Sequence, residues 1–233
     1  MSHHVKFTYQ RTRADIGPVN TLAELNACRR RLLELRLIGL DSNRIGFRQP
    51  ERTRGRKQEF LYHRFSDGWS PQAVAYGLRS RRLRFQEGEL SLTDCVRVVD
   101  YDFKKNWLRY EGAAIPSSES LRHAAIYESE LSTTAVIHCH DSVLWRTLLD
   151  RAPTTSKRIP YGMCEMAREI IRLFKETDVR SRKIFVMAGH EGGIVTFGKD
   201  LGEAFAVLLR QRKASISCIE NAFYDRIPAR HER

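Results

Sequence analysis

Val136-Ile137-His138-Cys139-His140 is the stretch of this chain whose residue types and spacing could do chemistry. On a strand, residues two apart point to the same face, so His138 and His140 present two imidazoles together while Cys139 turns away into the packing. That is half a metal site, and it is also what two histidines satisfied by hydrogen bonds at a strand end would show. A third imidazole, His190, follows the apolar strand at 184–187 and lies in Ala188-Gly189-His190-Glu191-Gly192-Gly193, where glycines let the backbone approach another element closely. Three neutral imidazoles with an open fourth position make a catalytic zinc arrangement: the metal keeps a site for water or substrate and acts on it as a Lewis acid.

A second cluster is Pro116-Ser117-Ser118-Glu119, placed where a loop becomes a helix. A helix start offers unpaired backbone N–H groups and a partial positive charge, which suit an anionic ligand, and the two hydroxyls add donors. Taken alone, Glu119 reads as a favourable charge in the first helical turn. Beside three histidines it can instead serve as general base or as a displaceable fourth metal ligand.

These residues need elements to position them. Thr21 with Glu24 is a capping-box pattern, and Leu22, Leu25, Leu32, Leu33, Leu35, Leu37 and Ile38 supply an apolar face before Gly39 ends the helix. Strands are expected at 95–100, 107–110, 134–138, 184–187 and 193–197, and helices at 118–129, 142–150, 163–176 and 200–225. Strands and helices alternate, which predicts the α/β class. Residues 1–20 are polar, contain Gly17-Pro18 and read as an extended N-terminal arm. Residues 21–233 read as a single domain, with no internal repeat and no linker. Within it, 44–90 is rich in Gly, Pro, Ser and Arg, and only Phe60-Leu61-Tyr62 and Ala73-Val74-Ala75-Tyr76 look strand-like.

The chain of 233 residues carries 40 Lys+Arg against 28 Asp+Glu, a formal +12, with 42% hydrophobic residues. That apolar content supports a sizeable core and argues against disorder. No run approaches the ~18 apolar residues of a membrane helix, and Met1-Ser2-His3-His4-Val5-Lys6 has no apolar signal core. A soluble cytoplasmic protein without a membrane partner is the expectation. Its five cysteines, Cys28, Cys95, Cys139, Cys164 and Cys218, are odd in number and form no CxxC pair, as a reducing compartment permits. Between Arg44 and Gly88 stand eleven Lys+Arg and four Asp+Glu, so +7 of the +12 is local. That interval lacks the aromatic-basic alternation of a single-strand binder, which leaves nucleic acid the minority reading.

The ordered blocks Pro116-Ser117-Ser118-Glu119, His123-Ala124-Ala125-Ile126-Tyr127, Ala135-Val136-Ile137-His138-Cys139-His140, Gly189-His190 and Gly198-Lys199-Asp200-Leu201-Gly202-Glu203-Ala204-Phe205 resemble the class II aldolase/adducin family. That family includes L-fuculose-phosphate aldolase, L-ribulose-5-phosphate 4-epimerase and methylthioribulose-1-phosphate dehydratase. Agreement covers about half the chain, residues 94–205. The resemblance implies a three-layer α/β/α sandwich with a mixed, largely antiparallel central sheet, assembled as a homotetramer with sites at subunit boundaries. It implies that His138, His140 and His190 hold a divalent metal, most often Zn2+, with Mn2+, Fe2+ or Co2+ as alternatives. Glu119 would be the catalytic acid/base, and Ser117 and Ser118 would bind the substrate's phosphate or hydroxyls. The implied chemistry is cleavage, dehydration or epimerisation of a small keto-sugar or sugar phosphate through a metal-stabilised enediolate.

Departures from the family pattern are local. Where the family carries a Gly-Asn-(Ile/Val)-Ser turn and later a Thr-Gly or Ser-Gly turn, this chain reads Ile45-Gly46-Phe47-Arg48-Gln49-Pro50 and His63-Arg64-Phe65-Ser66-Asp67-Gly68. Arginines could replace the backbone donors there, or the phosphate site is lost with the metal scaffold kept, or the interval is aberrant sequence from a shifted reading frame. Only 49 residues separate His140 from His190, fewer than in the aldolases compared, and Tyr161 in that shortened loop reads as proton donor or packing aromatic. Asp141 orients an imidazole or, more simply, caps the next helix. His123 reads as a core or helix-face histidine rather than a site residue, and Arg210-Gln211-Arg212-Lys213 as a solvated helix face. The alternative function is a non-catalytic adducin-like scaffold or interaction module that binds an anionic partner through the basic 44–88 surface.

Overall fold

A computed structural model describes residues 7–16, 22–35, 37, 44–47, 60–64, 89–116, 119–159 and 163–224, with backbone alone at 44–47, 60–64 and 218–224. Eight strands among them form one sheet: β1 (Thr8–Arg13), β2 (Arg44–Phe47), β3 (Phe60–Arg64), β4 (Cys95–Asp102), β5 (Trp107–Glu111), β6 (Ala135–His140), β7 (Ile184–Val186) and β8 (Gly193–Gly198). Their order is β1-β5-β4-β3-β2-β6-β8-β7. The β1–β5 pair is parallel and the other pairs are antiparallel, so the sheet is mixed and largely antiparallel. The helices are α1 (Leu22–Glu34), α2 (Glu119–Ser129), α3 (Ser142–Leu148), α4 (Cys164–Glu176), the single turn α5 (Val179–Arg182) and α6 (Leu201–Tyr224).

Period-two alternation along the strands divides the core into two layers. On one face Val96, Val98, Val136, Val195 and Phe197 pack under α2 and α4. On the other Cys95, Ala135, Ile137, Cys139 and Ile194 pack under α1, α3 and α6. In α4 the buried Met166, Ala167, Ile170, Leu173 and Phe174 recur at helical spacing, and α6 does the same with Leu201, Ala204, Val207 and Leu208. Each fully buried Leu, Ile or Phe contributes about 1.5–3 kcal/mol relative to exposure. A helix layer on each face gives the α/β/α sandwich. The buried Asn26 side chain ties α1 to the segment entering β4: its Nδ2 donates to Leu90 O at 3.0 Å and its Oδ1 accepts from Leu90 N–H at 2.7 Å.

Three elements differ from the sequence reading. Thr8–Arg13, within the stretch read as an arm, is extended but hydrogen-bonded to β5 as the exposed edge strand β1. Its polar residues show no apolar alternation because both faces meet water. Arg44–Phe47 is strand β2, inside the sheet between β3 and β6; four residues holding a glycine are too short for a period-two signal. The turn Val179–Arg182 is likewise too short to read. Ala73–Tyr76 lies outside the described residues. Among those described, no helix is long and apolar enough to cross a membrane.

Candidate metal centre

Strand β6 runs between β2 and β8, so its backbone is hydrogen-bonded on both sides and its side-chain directions are set. Val136, His138 and His140 point to the α2/α4 face, while Ile137 and Cys139 enter the opposite core. Complete burial pushes the Cys139 thiol up to about 12, so Cys139 is a packing residue rather than a thiolate donor. In register, His138 stands opposite Val195 and His140 opposite Gly193. The β7–β8 turn then returns His190 to the same place. Ring centroids are 5.1 Å apart for His138–His140, 5.4 Å for His138–His190 and 4.5 Å for His140–His190.

One ligand nitrogen from each of the three rings lies within 4.8 Å of the others. A zinc ion with ligands at about 2.0–2.1 Å places tetrahedral nitrogens about 3.3 Å apart, so small side-chain rotations of roughly 1 Å close the set. The glycines of the turn provide the room. A Cβ at Gly193 would stand 3.4 Å from His138 Nε2 and 3.3 Å from His190 Cγ, and one at Gly192 would stand 3.4 Å from His140 Nδ1. Gly192 also has φ +77°, a conformation that side chains rarely adopt. Residues and space both fit a divalent cation. His138 is buried whereas His140 and His190 are partly exposed, so the cluster opens to solvent on one side.

Glu119 begins α2 and is buried at 3% exposure. Its Oε2 lies 3.4 Å from His138 Nδ1 and accepts a hydrogen bond from Arg122 Nη1. The four residues expected to form the centre, His138, His140, His190 and Glu119, are therefore brought together by three elements. Ser117, Ser118 and Tyr161 lie outside the described residues. His123, one turn beyond Glu119, is buried, with its ring 6.4 Å from that of Tyr127.

Asp141 caps α3: its Oδ1 accepts from the N–H groups of Val143 and Leu144 at 3.0 and 2.9 Å. Its Oδ2 is 3.6 Å from Arg212 Nε, so one member of the basic run on α6 is tied to the cap rather than fully solvated. Glu191 is exposed and 3.6 Å from Arg146 Nη2. The residue that sequence reading passed over is Arg122, buried at 3% exposure. Its only sequence signal is the i,i+3 spacing from Glu119, which a solvated helix face shares.

Among solved structures, the chain is similar to a sugar-phosphate aldolase from Thermotoga maritima, with 16% identity, 89% of this chain and 97% of that one covered, and a TM-score of 0.62. It is similar to an L-fuculose 1-phosphate aldolase, with 20% identity, 89% of each chain covered and a TM-score of 0.58. The L-fuculose-1-phosphate aldolase from Thermus thermophilus matches with 16% identity, 89% and 97% coverage and a TM-score of 0.57. At these identities the likeness is one of fold. No curated protein matches the sequence significantly. The family model described as Class II Aldolase and Adducin N-terminal domain matches residues 86–214, more than half the chain and the span from β4 through the His190 turn into the first half of α6, and the chain belongs to that family.

Proposed function

We propose that the protein is a metal-dependent lyase of class II aldolase type that cleaves a small keto-sugar or sugar phosphate, with retro-aldol cleavage as its reaction. The observation that carries this reading is the convergence of His138, His140 and His190 within 4.8 Å, with the Glu119 carboxylate 3.4 Å from His138. A structural scaffold gains nothing from that combination, since buried polar groups are costly to satisfy. Family membership and the sugar-phosphate names of the similar structures support the substrate class.

In this reading the three imidazoles hold a divalent metal, Zn2+ first, with Mn2+, Fe2+ or Co2+ able to take its place. When bound, the metal supplies Lewis-acid chemistry at the carbonyl oxygen of the substrate. The chain's own residues do the rest. Burial of His138 on its strand fixes one ligand ring, and the glycine turn sets the other side of the centre. Glu119 moves the proton at the carbon next to the substrate carbonyl, the carbon that keeps the electron pair when the C–C bond breaks. Ser117 and Ser118, which precede Glu119 in the sequence, bind the substrate's phosphate or hydroxyls. The working protein is a cytoplasmic homotetramer.

Purified protein analysed for metals is expected to hold about one divalent ion per chain. The double substitution His138→Ala, His140→Ala should remove it, and Glu119→Gln should abolish turnover of keto-sugars while keeping the metal. Folded wild-type protein that takes up no metal sinks the proposal.

A further inference from the structure

The chain reaches His190 through Met187, Ala188 and Gly189, and sheet pairing ends just before them. Strand β7 pairs with β8 as far as Val186 opposite Ile194, and the Met187 N–H donates once more across the ladder, to Gly193 O at 3.0 Å. The turn beyond closes on itself through the His190 N–H to Met187 O, at 3.1 Å, and the Gly193 N–H to His190 O, at 2.8 Å. Gly189, Gly192 and Gly193 all stand in it. A turn so rich in glycine holds little shape of its own, because glycine loses more conformational freedom than any other residue on being fixed.

Each of the three residues before His190 is held from outside the turn. The Trp145 indole on α3 donates its Nε1–H to the Met187 carbonyl at 3.0 Å. The Ala188 N–H donates to the Thr155 hydroxyl oxygen at 3.2 Å. Gly189 lies against the backbone of Ile159, where a Cβ would collide with the Ile159 carbonyl oxygen. All three holding groups come from the single segment 145–159, and that segment is itself anchored. The Thr155 N–H donates to Val186 O and the Val186 N–H to Pro153 O, both at 2.9 Å, so 153–155 runs beside β7. The Ser156 N–H donates to the Glu169 carboxylate on α4 at 2.7 Å. Thr155 is buried at 2% exposure, so water does not compete for its bond to Ala188. Helix α3 is capped by Asp141, directly after His140, so Trp145 also ties the segment of the second imidazole to that of the third.

We propose that Thr155 and Trp145 are positioning residues for the metal centre, holding Ala188 and Met187 so that the His190 ring is in place before a metal arrives. This rests on the reading of His138, His140 and His190 as metal ligands. The glycines give three rings the room to meet, and the 145–159 segment supplies the rigidity that the glycines lack. Without either bond the metal must order the turn as it binds, and that cost lowers its affinity.

The test measures zinc affinity by chelator competition, with folding checked by circular dichroism, for the wild type, Thr155→Val, Thr155→Ser and Trp145→Phe. Thr155→Val keeps nearly the same shape without the hydroxyl and should bind zinc at least about tenfold more weakly, as when a group behind a metal ligand is removed. Thr155→Ser keeps the hydroxyl and should stay within about threefold of wild type. Trp145→Phe keeps an aromatic ring without the N–H, should also lose at least about tenfold, and decides alone if Thr155→Val does not fold. In a His190→Ala background Thr155→Val should change the residual affinity by less than about threefold, whereas a general loosening of the fold would weaken both backgrounds alike. Zinc affinity within about threefold of wild type in either folded variant, a loss in Thr155→Ser as large as in Thr155→Val, or a loss undiminished without His190 overturns the proposal. A wild type that binds no zinc refutes the metal centre itself and this inference with it, so the two failures are distinct.

Discussion

Gly193→Ala is the perturbation that bears most directly on how this fold builds its centre. Gly193 opens β8 opposite His140, and a methyl group there would stand 2.9 Å from the His190 carbonyl oxygen, 3.3 Å from His190 Cγ and 3.4 Å from His138 Nε2. Unstrained carbon contacts lie near 3.5–4.0 Å, so the nearest atom must retreat by roughly 0.5 Å. The carbonyl has little freedom to do so. It accepts from the Gly193 N–H at 2.8 Å, and the turn is closed again by Met187 N–H to Gly193 O at 3.0 Å. The turn and its His190 ring must shift together. Overpacking of this kind costs about 1–3 kcal/mol in the metal-free protein. Displacing a ligand ring through the groups that support it weakens metal binding about 10–100-fold. Urea unfolding of the metal-free protein reads the first quantity and chelator competition with zinc the second. Gly202→Ala is the control, because its methyl meets only Asp200 Oδ1, at 3.3 Å, and alanine favours the helix. Zinc affinity of Gly193→Ala within about threefold of wild type would refute the reasoning, since a clash of this size behind two ligand rings cannot leave them in place.

Two further outcomes follow from the surroundings of the centre. Asp141→Ala removes the α3 cap bonds at 3.0 and 2.9 Å and should lower stability by about 1 kcal/mol in urea. Zinc affinity should stay unchanged, because the carboxylate faces the helix start and Arg212 rather than the imidazoles; a large loss of affinity would instead make Asp141 an imidazole-orienting residue. Glu169 is held below the ordinary carboxylate range, first by the Arg172 guanidinium and also by the Ser156 N–H, at 2.7 Å. A carboxyl lowered on folding contributes stability that is present in full above its unfolded value and is lost as the pH falls through its folded one. Glu169→Gln should therefore cost about 1–2 kcal/mol at neutral pH, and the gap to wild type should close in urea titrations taken to about pH 3. A gap that is the same at both pH values would show that the charge of Glu169 is not what stabilises the 156–172 contact.

Legibility in the sequence followed the range of the interactions. Helix α4 was plain because its apolar residues from Met166 to Phe174 recur at the helical period, and the structure buries them. Strand β2 was not, because four residues in an arginine-rich interval carry no period and owe their place to pairing with β3 and β6. The same contrast holds in the centre. Glu119 was legible as a carboxylate at a helix start, whereas Arg122 on that helix looks like any solvated charge until the packing of α2 against Met187 encloses it.

That His138 and His140 share a face and Cys139 does not was already settled by the order of residues, because strand geometry acts between neighbours and needs no partner. The family was settled there too, through motifs short enough to survive in order. The meeting of His190, far along the chain, with that pair belongs to the three-dimensional fold: it follows from the β6–β8 register, which sets Gly193 opposite His140, and from a turn without side chains at 192 and 193 that lets three rings approach. Packing between distant elements likewise paired Glu119 with a buried arginine, since burial turns an ordinary i,i+3 charge pair into a fixed one by removing the water that would otherwise compete for both.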